Sequence, residues 1–149
     1  MMKIFNNNYE LAIRALMILY TYEKQLSIEG ISSFDLLVTY GKQFNLYEYN
    51  LHGDNPLSFC EISTRRIEIK NSIKNLVINN LVDVIRTDFG FAFKINEKGV
   101  NVCKKIESEY ALEYLQIIDY LTKKLEFKSE KEIINYVVSF SVKGGISNV

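Results

Sequence analysis

The sequence predicts a mainly α-helical fold with one small β-hairpin, and three adjoining patterns support this prediction. The run Ser63–Asn80 repeats its apolar residues at helical spacing. Two short segments that alternate apolar and polar residues follow, Val82–Arg86 and Phe91–Ile95, joined by a turn in which Gly90 supplies a positive φ. A further helix begins after Asn96, a suitable N-cap. The order helix, hairpin, helix is typical of a winged helix.

Two helices are predicted before this unit. From Asn8 to Lys24, apolar residues recur every three or four positions and spread beyond one stripe, so we expect burial on more than one side. Arg14 interrupts this surface, and we favour a surface side chain that reaches solvent over a specific ion pair or partner contact. The segment Leu26–Ile31 is expected to form a turn or short strand. A second helix should then cover Phe34–Tyr40, capped by one of the two serines before it.

Helical patterns also follow the hairpin. A broadly apolar helix is predicted from Ser108, and a last helix over Ser129–Phe140. Residues 141–149 contain two adjacent glycines and are expected to be a flexible tail. Residues 1–140 are therefore predicted to form a single winged-helix-like domain with N- and C-terminal helical extensions. Residues 45–61 show no sustained period and are expected to form a long loop with a functional role.

Composition restricts the class of function. A chain of 149 residues with 48% hydrophobic content suits one domain with a substantial core. No apolar run is long enough to cross a bilayer and the N-terminus lacks a secretory pattern, so we expect a cytoplasmic protein without membrane contact. The net charge is zero, yet residues 61–105 hold nine Lys/Arg against five Asp/Glu. A dedicated DNA-binding module is usually more basic overall, which favours shared over solitary nucleic-acid contact.

The sequence offers no convincing catalytic or metal-binding motif. The two cysteines, Cys60 and Cys103, lack CxxC spacing, and His52 is the one histidine, so a zinc site is not expected. A cytoplasmic location also argues against a disulfide. Phosphate-binding loops, dinucleotide fingerprints and HExxH are missing from the sequence. We therefore predict a protein that is not an enzyme and needs no cofactor or metal.

A basic ridge on the third helix, with Arg65 beside it, and two basic residues of the hairpin are the candidate contact residues. The residues concerned are Arg65, Arg66, Lys70, Lys74, Arg86 and Lys94. Three of them recur at four-residue intervals and would share one helix face, and the two on the hairpin are expected to lie close across the strands. A solvated or partner-facing surface is the interpretation we favour. A recognition helix that contacts phosphates or base edges is the alternative.

Several short segments, in a shared order, resemble the middle components of bacterial ABC-three-component systems. The resemblance is to the second class of these proteins, which also occurs in Lamassu-type defence operons, and it covers roughly Phe5–Phe127. It rests on these segments: Phe5-Asn6, Glu10–Leu16, Phe34–Val38, Leu51-His52 with Pro56-Leu57, Glu61 with Arg65-Arg66, Asn80–Val82, and Ser108–Ala111. Asn80 stands where the family pattern usually has a glycine.

The resemblance implies a non-catalytic accessory subunit of an anti-phage or anti-plasmid defence complex. Such a subunit connects an ATPase of the SMC or Rad50 kind to an effector, often a nuclease, and helps to restrain it until foreign DNA is sensed. DNA would then be contacted mainly through the complex. The resemblance brings no catalytic residues. It implies that His52, Pro56, Glu61 and Arg65, which match the motif, shape the long loop that meets a partner.

Two other functions stay open at the level of sequence. A free-standing winged-helix transcription regulator would use the basic ridge and the hairpin, and would dimerise through its C-terminal helices. A small hydrolase would use His52, with a nucleophile and base assembled from distant segments.

Overall fold

The computed structural model describes residues 8–41, 44 and 59–147, with side chains for residues 9–41, 44 and 62–139. Within these ranges the chain is mostly helical, with one antiparallel hairpin, as the sequence predicts. Its elements in order are α1 (Asn8–Tyr22), α2 (Ile28–Thr39), α3 (Phe59–Ile78), β1 (Val82–Thr87), β2 (Gly90–Ile95), α4 (Glu97–Lys104), α5 (Glu109–Leu125) and α6 (Glu130–Ser147).

Helix α2 begins earlier than predicted. Its N-cap is Ser27, whose hydroxyl oxygen accepts a hydrogen bond from the Gly30 amide at 3.2 Å. The hydroxyl of Ser32 instead donates within the helix to the Ile28 carbonyl at 2.9 Å, so this serine is not a cap. The strand expected before the helix is reduced to Leu26, which exchanges two backbone hydrogen bonds with Phe93, at 3.0 and 2.8 Å.

The junction between α3 and the hairpin is a tight helix end. The Leu81 amide donates to the Leu76 carbonyl at 2.9 Å, and the Asn80 amide donates to Val77 at 3.0 Å. This pair of bonds is the Schellman arrangement, which requires a left-handed residue just after the helix. Asn80 adopts that conformation with φ 59°. The position therefore suits glycine, and asparagine is among the side chains that tolerate it best.

The hairpin pairs Val82 with Ile95 at its base and Thr87 with Gly90 at its turn. Gly90 has φ 114°, which confirms the predicted positive value. The predicted Asn96 cap of α4 is also confirmed, and the structure adds a Ser108 cap on α5 that was not predicted from the sequence. The Asn96 side chain accepts from the Gly99 amide at 2.9 Å, and the Ser108 hydroxyl accepts from the third residue of α5 at 3.2 Å.

Helix α6 was expected to end at Phe140 but continues to Ser147. At its other end, Glu130 reaches the start of α2, where its Oε1 accepts from the Ser27 amide at 2.9 Å and from the Ser27 hydroxyl at 2.7 Å. The division of the chain into residues 1–140 and a flexible tail stays a prediction.

Helix α1 lies at the centre of the core. It packs against α2, α3, α4, α5 and β2, which accounts for apolar side chains on more than one of its faces. Leu11, Ala15 and Ile18 are completely buried there. Among the described residues, no helix has the length and apolar character required to span a bilayer.

Candidate partner-binding surface and a buried ion cluster

A buried carboxylate, Asp35 on α2, holds together side chains from three other helices. Arg14 on α1 donates from Nε to Asp35 Oδ1 and from Nη2 to Oδ2, both at 2.9 Å, which is a bidentate pair. Arg65 on α3 donates from Nη1 to Oδ2, and the hydroxyl of Tyr114 on α5 donates to Oδ1. We call these four residues the Asp35 cluster. None of them is more than 1% exposed.

The electrostatics of the cluster fix its charge state. Burial alone would raise the pKa of Asp35, but the guanidinium groups of Arg14 and Arg65 outweigh burial and hold that pKa well below its ordinary range. Burial lowers the pKa of Arg14, and the Asp35 carboxylate more than offsets this, so the pKa of Arg14 is raised. Burial and the same carboxylate raise the pKa of Tyr114 well above its ordinary value. None of these three groups exchanges a proton near neutral pH, so the cluster acts by joining helices.

Two sequence-based interpretations are corrected by this arrangement. Arg14 is not a surface side chain, because its whole length is inside the protein and its charge is paired with Asp35. Arg65 is not part of an exposed ridge, because it lies on the buried face of α3. The sequence holds a signal for this: Arg65 precedes the buried residues Ile69 and Ile73 at four-residue spacing.

Four of the segments that carry the family resemblance meet at the cluster. Arg14 belongs to the first apolar helix motif, Asp35 to the motif Phe34–Val38, and Arg65 to the motif at the start of α3. Tyr110, from the motif Ser108–Ala111, packs its ring 6.2 Å from that of Tyr114. Short motifs that are far apart in sequence are therefore adjacent in the fold.

The remaining basic candidates lie on the surface but do not form one patch. Arg66 is exposed and pairs with Glu29, Nη2 to Oε1 at 3.4 Å, while Lys70 and Lys74 continue along the same side of α3. Arg86 is opposite Phe91 in the hairpin, and Lys94 is opposite Asp83. Because side chains alternate between the faces of a strand, Arg86 and Lys94 point to opposite faces of the hairpin. Their predicted proximity across the strands is wrong.

A groove lies between α3 and the hairpin, and the N-terminal ends of α2 and α6 close it. Its volume is about 980 Å³. We call it the α3–hairpin groove. Its apolar lining consists of Ile28, Ile73, Val77, Ile78, Val84, Phe89, Phe91, Ala92, Phe93 and Ile134. Ile78, Phe89 and Phe91 are 79%, 102% and 61% exposed, so large apolar side chains face solvent here. Exposed apolar patches of this kind commonly mark interaction sites.

The predicted docking loop lies mostly outside the described residues. His52 and Pro56 lie outside the described residues, as does the side chain of Glu61, whose backbone is in α3.

Among the residues that the structure does describe, no three His, Cys, Asp or Glu side chains are grouped so as to hold a metal ion. Cys103 is a buried free thiol, and burial raises its pKa to about 12.

The family model of the ABC-three component (ABC-3C) system Middle Component 2 matches residues 4–145. The chain belongs to this family. No match was found among curated proteins or among solved structures. The match to the middle component family includes all four residues of the Asp35 cluster and every residue that lines the α3–hairpin groove.

Proposed function

We propose that this protein is a non-catalytic accessory subunit that links an SMC- or Rad50-like ABC ATPase to an effector, such as a nuclease. The complex would act in the bacterial cytoplasm against phage or plasmids, in an operon of the Lamassu type. The observation that carries the proposal is membership of the middle component family, which indicates a role in a system of several proteins.

Two features of the structure support an assembly role: a buried ion cluster that joins four helices, and a groove that exposes large apolar side chains. The Asp35 cluster joins α1, α2, α3 and α5 by charge-assisted hydrogen bonds, which favour a single arrangement of these helices. The α3–hairpin groove presents Ile78, Phe89 and Phe91 to solvent from that framework. A rigid body with an exposed apolar groove suits a subunit that binds other proteins.

Co-purification from the native operon tests the proposal. The tagged full-length chain, expressed with its genomic neighbours, should retain the ATPase and the effector in fixed stoichiometry through size-exclusion chromatography. When the gene for this chain is deleted and the effector is tagged instead, the ATPase should no longer co-purify with the effector, because the subunit that links them is missing. The proposal would be refuted if the effector and ATPase associate equally well without this chain, or if the tagged chain elutes alone.

A winged-helix transcription regulator is the second candidate function. This candidate is supported by the order of the elements along the chain: α1, the Leu26 pairing with β2, α2, α3 and the hairpin follow one another as expected for a winged helix. Arg66, Lys70 and Lys74 are exposed on α3, the helix that would enter the major groove. Phe89, however, is fully exposed in the hairpin turn, where a phosphate contact would require a cation or a hydrogen-bond donor.

Salt dependence of DNA binding tests this alternative. If α3 binds duplex DNA, a plot of the logarithm of the binding constant against the logarithm of salt concentration should have a negative slope of about 0.9 per phosphate contacted. Replacing Lys70 and Lys74 by alanine should reduce that slope by roughly two. Duplex binding that is absent at low salt, or that is unchanged in this double variant, would exclude a recognition role for α3.

A further inference from the structure

The floor of the α3–hairpin groove is an apolar surface that continues outward from the core. The register places Val84 directly opposite Phe93 on one face of the hairpin, with Phe91 two residues further out on the same face. Phe93 is only 9% exposed, whereas Val84 and Phe91 are 46% and 61% exposed. This apolar face is therefore buried at Phe93, next to the core, and exposed to solvent at Val84 and Phe91.

The charges around the groove favour a negatively charged occupant. Two glutamates line it, but Glu130 already accepts two hydrogen bonds from Ser27, and Glu29 pairs with Arg66 at 3.4 Å. The two lysines that line it, at positions 70 and 74, make no hydrogen bond or ion pair with the residues that the structure describes. They are four residues apart on one helix and so lie side by side, about 6 Å apart at Cβ. The hydrogen bonds from Ser27 leave the negative charge of Glu130 in place at the start of α6, so the lining as a whole is neutral. On the α3 side of the groove, however, Glu29 is paired and the charge that remains is that of the two lysines, which is positive.

We infer that the α3–hairpin groove binds an amphipathic helix of a partner subunit, with apolar side chains on one face and Asp or Glu beside them. The apolar face would cover Val84, Phe89 and Phe91, and the carboxylates would pair with Lys70 and Lys74. This inference rests on the proposed role as an accessory subunit. It adds where one partner docks and what chemistry that partner segment has.

The placement of the charges favours a helix as the occupant. A helix presents apolar residues and neighbouring carboxylates at three- and four-residue spacing, which matches two lysines one turn apart on α3 beside an apolar lining. Its composition favours protein over nucleic acid. Binding to nucleic acid depends on cations that neutralise phosphates, and the outer part of the groove presents Phe89 and Phe91 instead.

Site-specific crosslinking in the co-expressed complex tests the inference. A photoreactive amino acid at Phe89 should be tolerated, because this side chain is fully exposed. The matched control is the same substitution at Leu112, which is 45% exposed on α5 and does not line the groove. Crosslinked peptides are mapped by mass spectrometry in the purified complex. We expect crosslinks from position 89 to one partner segment with helical apolar spacing and acidic residues, and not from position 112.

Variants of the groove measure its contribution to binding. Reversing the charge at both lysines, Lys70→Glu with Lys74→Glu, should weaken binding of the purified partner at least about tenfold, as should Phe91→Ser. The control pair, Lys104→Glu with Lys105→Glu, changes the net charge equally at exposed positions outside the groove and should leave the affinity unchanged. Circular dichroism and thermal unfolding establish that each variant is folded.

The outcomes separate this inference from the proposed function. A complex that assembles normally in every groove variant, or crosslinks from position 89 only to a second copy of this chain, would overturn the inference and leave the accessory role standing. Loss of duplex DNA binding, with partner affinity unchanged, would assign the groove to nucleic acid and also overturn it. If the unmodified chain binds neither ATPase nor effector, the accessory role fails first and the inference falls with it.

Discussion

Replacing Asp35 by asparagine should strongly destabilise the protein, although the two side chains have nearly the same shape. Oδ2 accepts from Arg14 Nη2 and Arg65 Nη1, and Oδ1 accepts from Arg14 Nε and the Tyr114 hydroxyl. In one orientation the amide NH2 group therefore faces two guanidinium donors, and in the other it faces Arg14 Nε, which can only donate, beside the Tyr114 hydroxyl. The substitution also leaves the buried arginines without the charge that compensates them.

The expected loss in the free energy of unfolding is about 3–5 kcal/mol, the range found when one partner of a buried ion pair is removed. This is a large share of the roughly 5–15 kcal/mol by which a domain is stable, so the variant should unfold at much lower denaturant concentration. The matched control is Asp119→Asn. That carboxylate pairs with Lys123 at 2.9 Å on the surface, with side chains 56% and 76% exposed. Its loss should cost no more than about 0.5 kcal/mol.

Urea unfolding at pH 7, followed by far-ultraviolet circular dichroism, measures both variants against the unmodified protein. If Asp35→Asn proves too unstable to purify, Arg14→Lys provides a milder test, because it keeps the charge but cannot reproduce the bidentate geometry. Equal costs for Asp35→Asn and Asp119→Asn would refute the argument that the cluster holds the helices together.

Three further predictions follow from the same structure. The pKa of Asp35 is lower in the folded than in the unfolded state, so the stabilisation that its carboxylate provides is complete above the unfolded pKa of about 4 and declines as pH falls toward the folded pKa. The difference in unfolding free energy between the unmodified protein and Asp35→Asn should therefore be constant from about pH 7 to 5. In urea titrations below about pH 4, that difference should narrow. Asn80→Gly should raise the thermal midpoint or leave it unchanged, whereas Asn80→Ala should cost about 1 kcal/mol, because φ is 59° at this position; a more stable alanine variant would contradict the Schellman end. Gly99→Ala should cost about 1–3 kcal/mol despite the better helix propensity of alanine, because the added Cβ would meet the Leu81 carbonyl oxygen at 2.3 Å; calorimetry that shows a stabilised variant would disprove this close approach.

The candidate surfaces were only partly evident from sequence. The four-residue spacing of Arg66, Lys70 and Lys74 correctly indicated a shared exposed side of α3. It did not distinguish Arg65, whose position on the helix places it on the buried face. The groove was not predicted, because it forms where α3 and the hairpin meet the ends of two helices that are distant in sequence.

The sequence alone determined the features that depend on neighbouring residues. Helical periodicity, the Asn96 cap and the turn at Gly90 each rest on interactions within about four positions, so local patterns were sufficient to predict them. Family membership was also visible, since the motifs occur in a fixed order along the chain.

Only the tertiary structure decided the role of the buried charges. Asp35 lies 21, 30 and 79 positions from Arg14, Arg65 and Tyr114. An arginine in an apolar helix extends to solvent or is buried with a carboxylate, and the choice depends on whether a distant chain segment supplies that carboxylate. The free energy of a buried charge is set by its partners in space, and spacing along one helix holds no information about them.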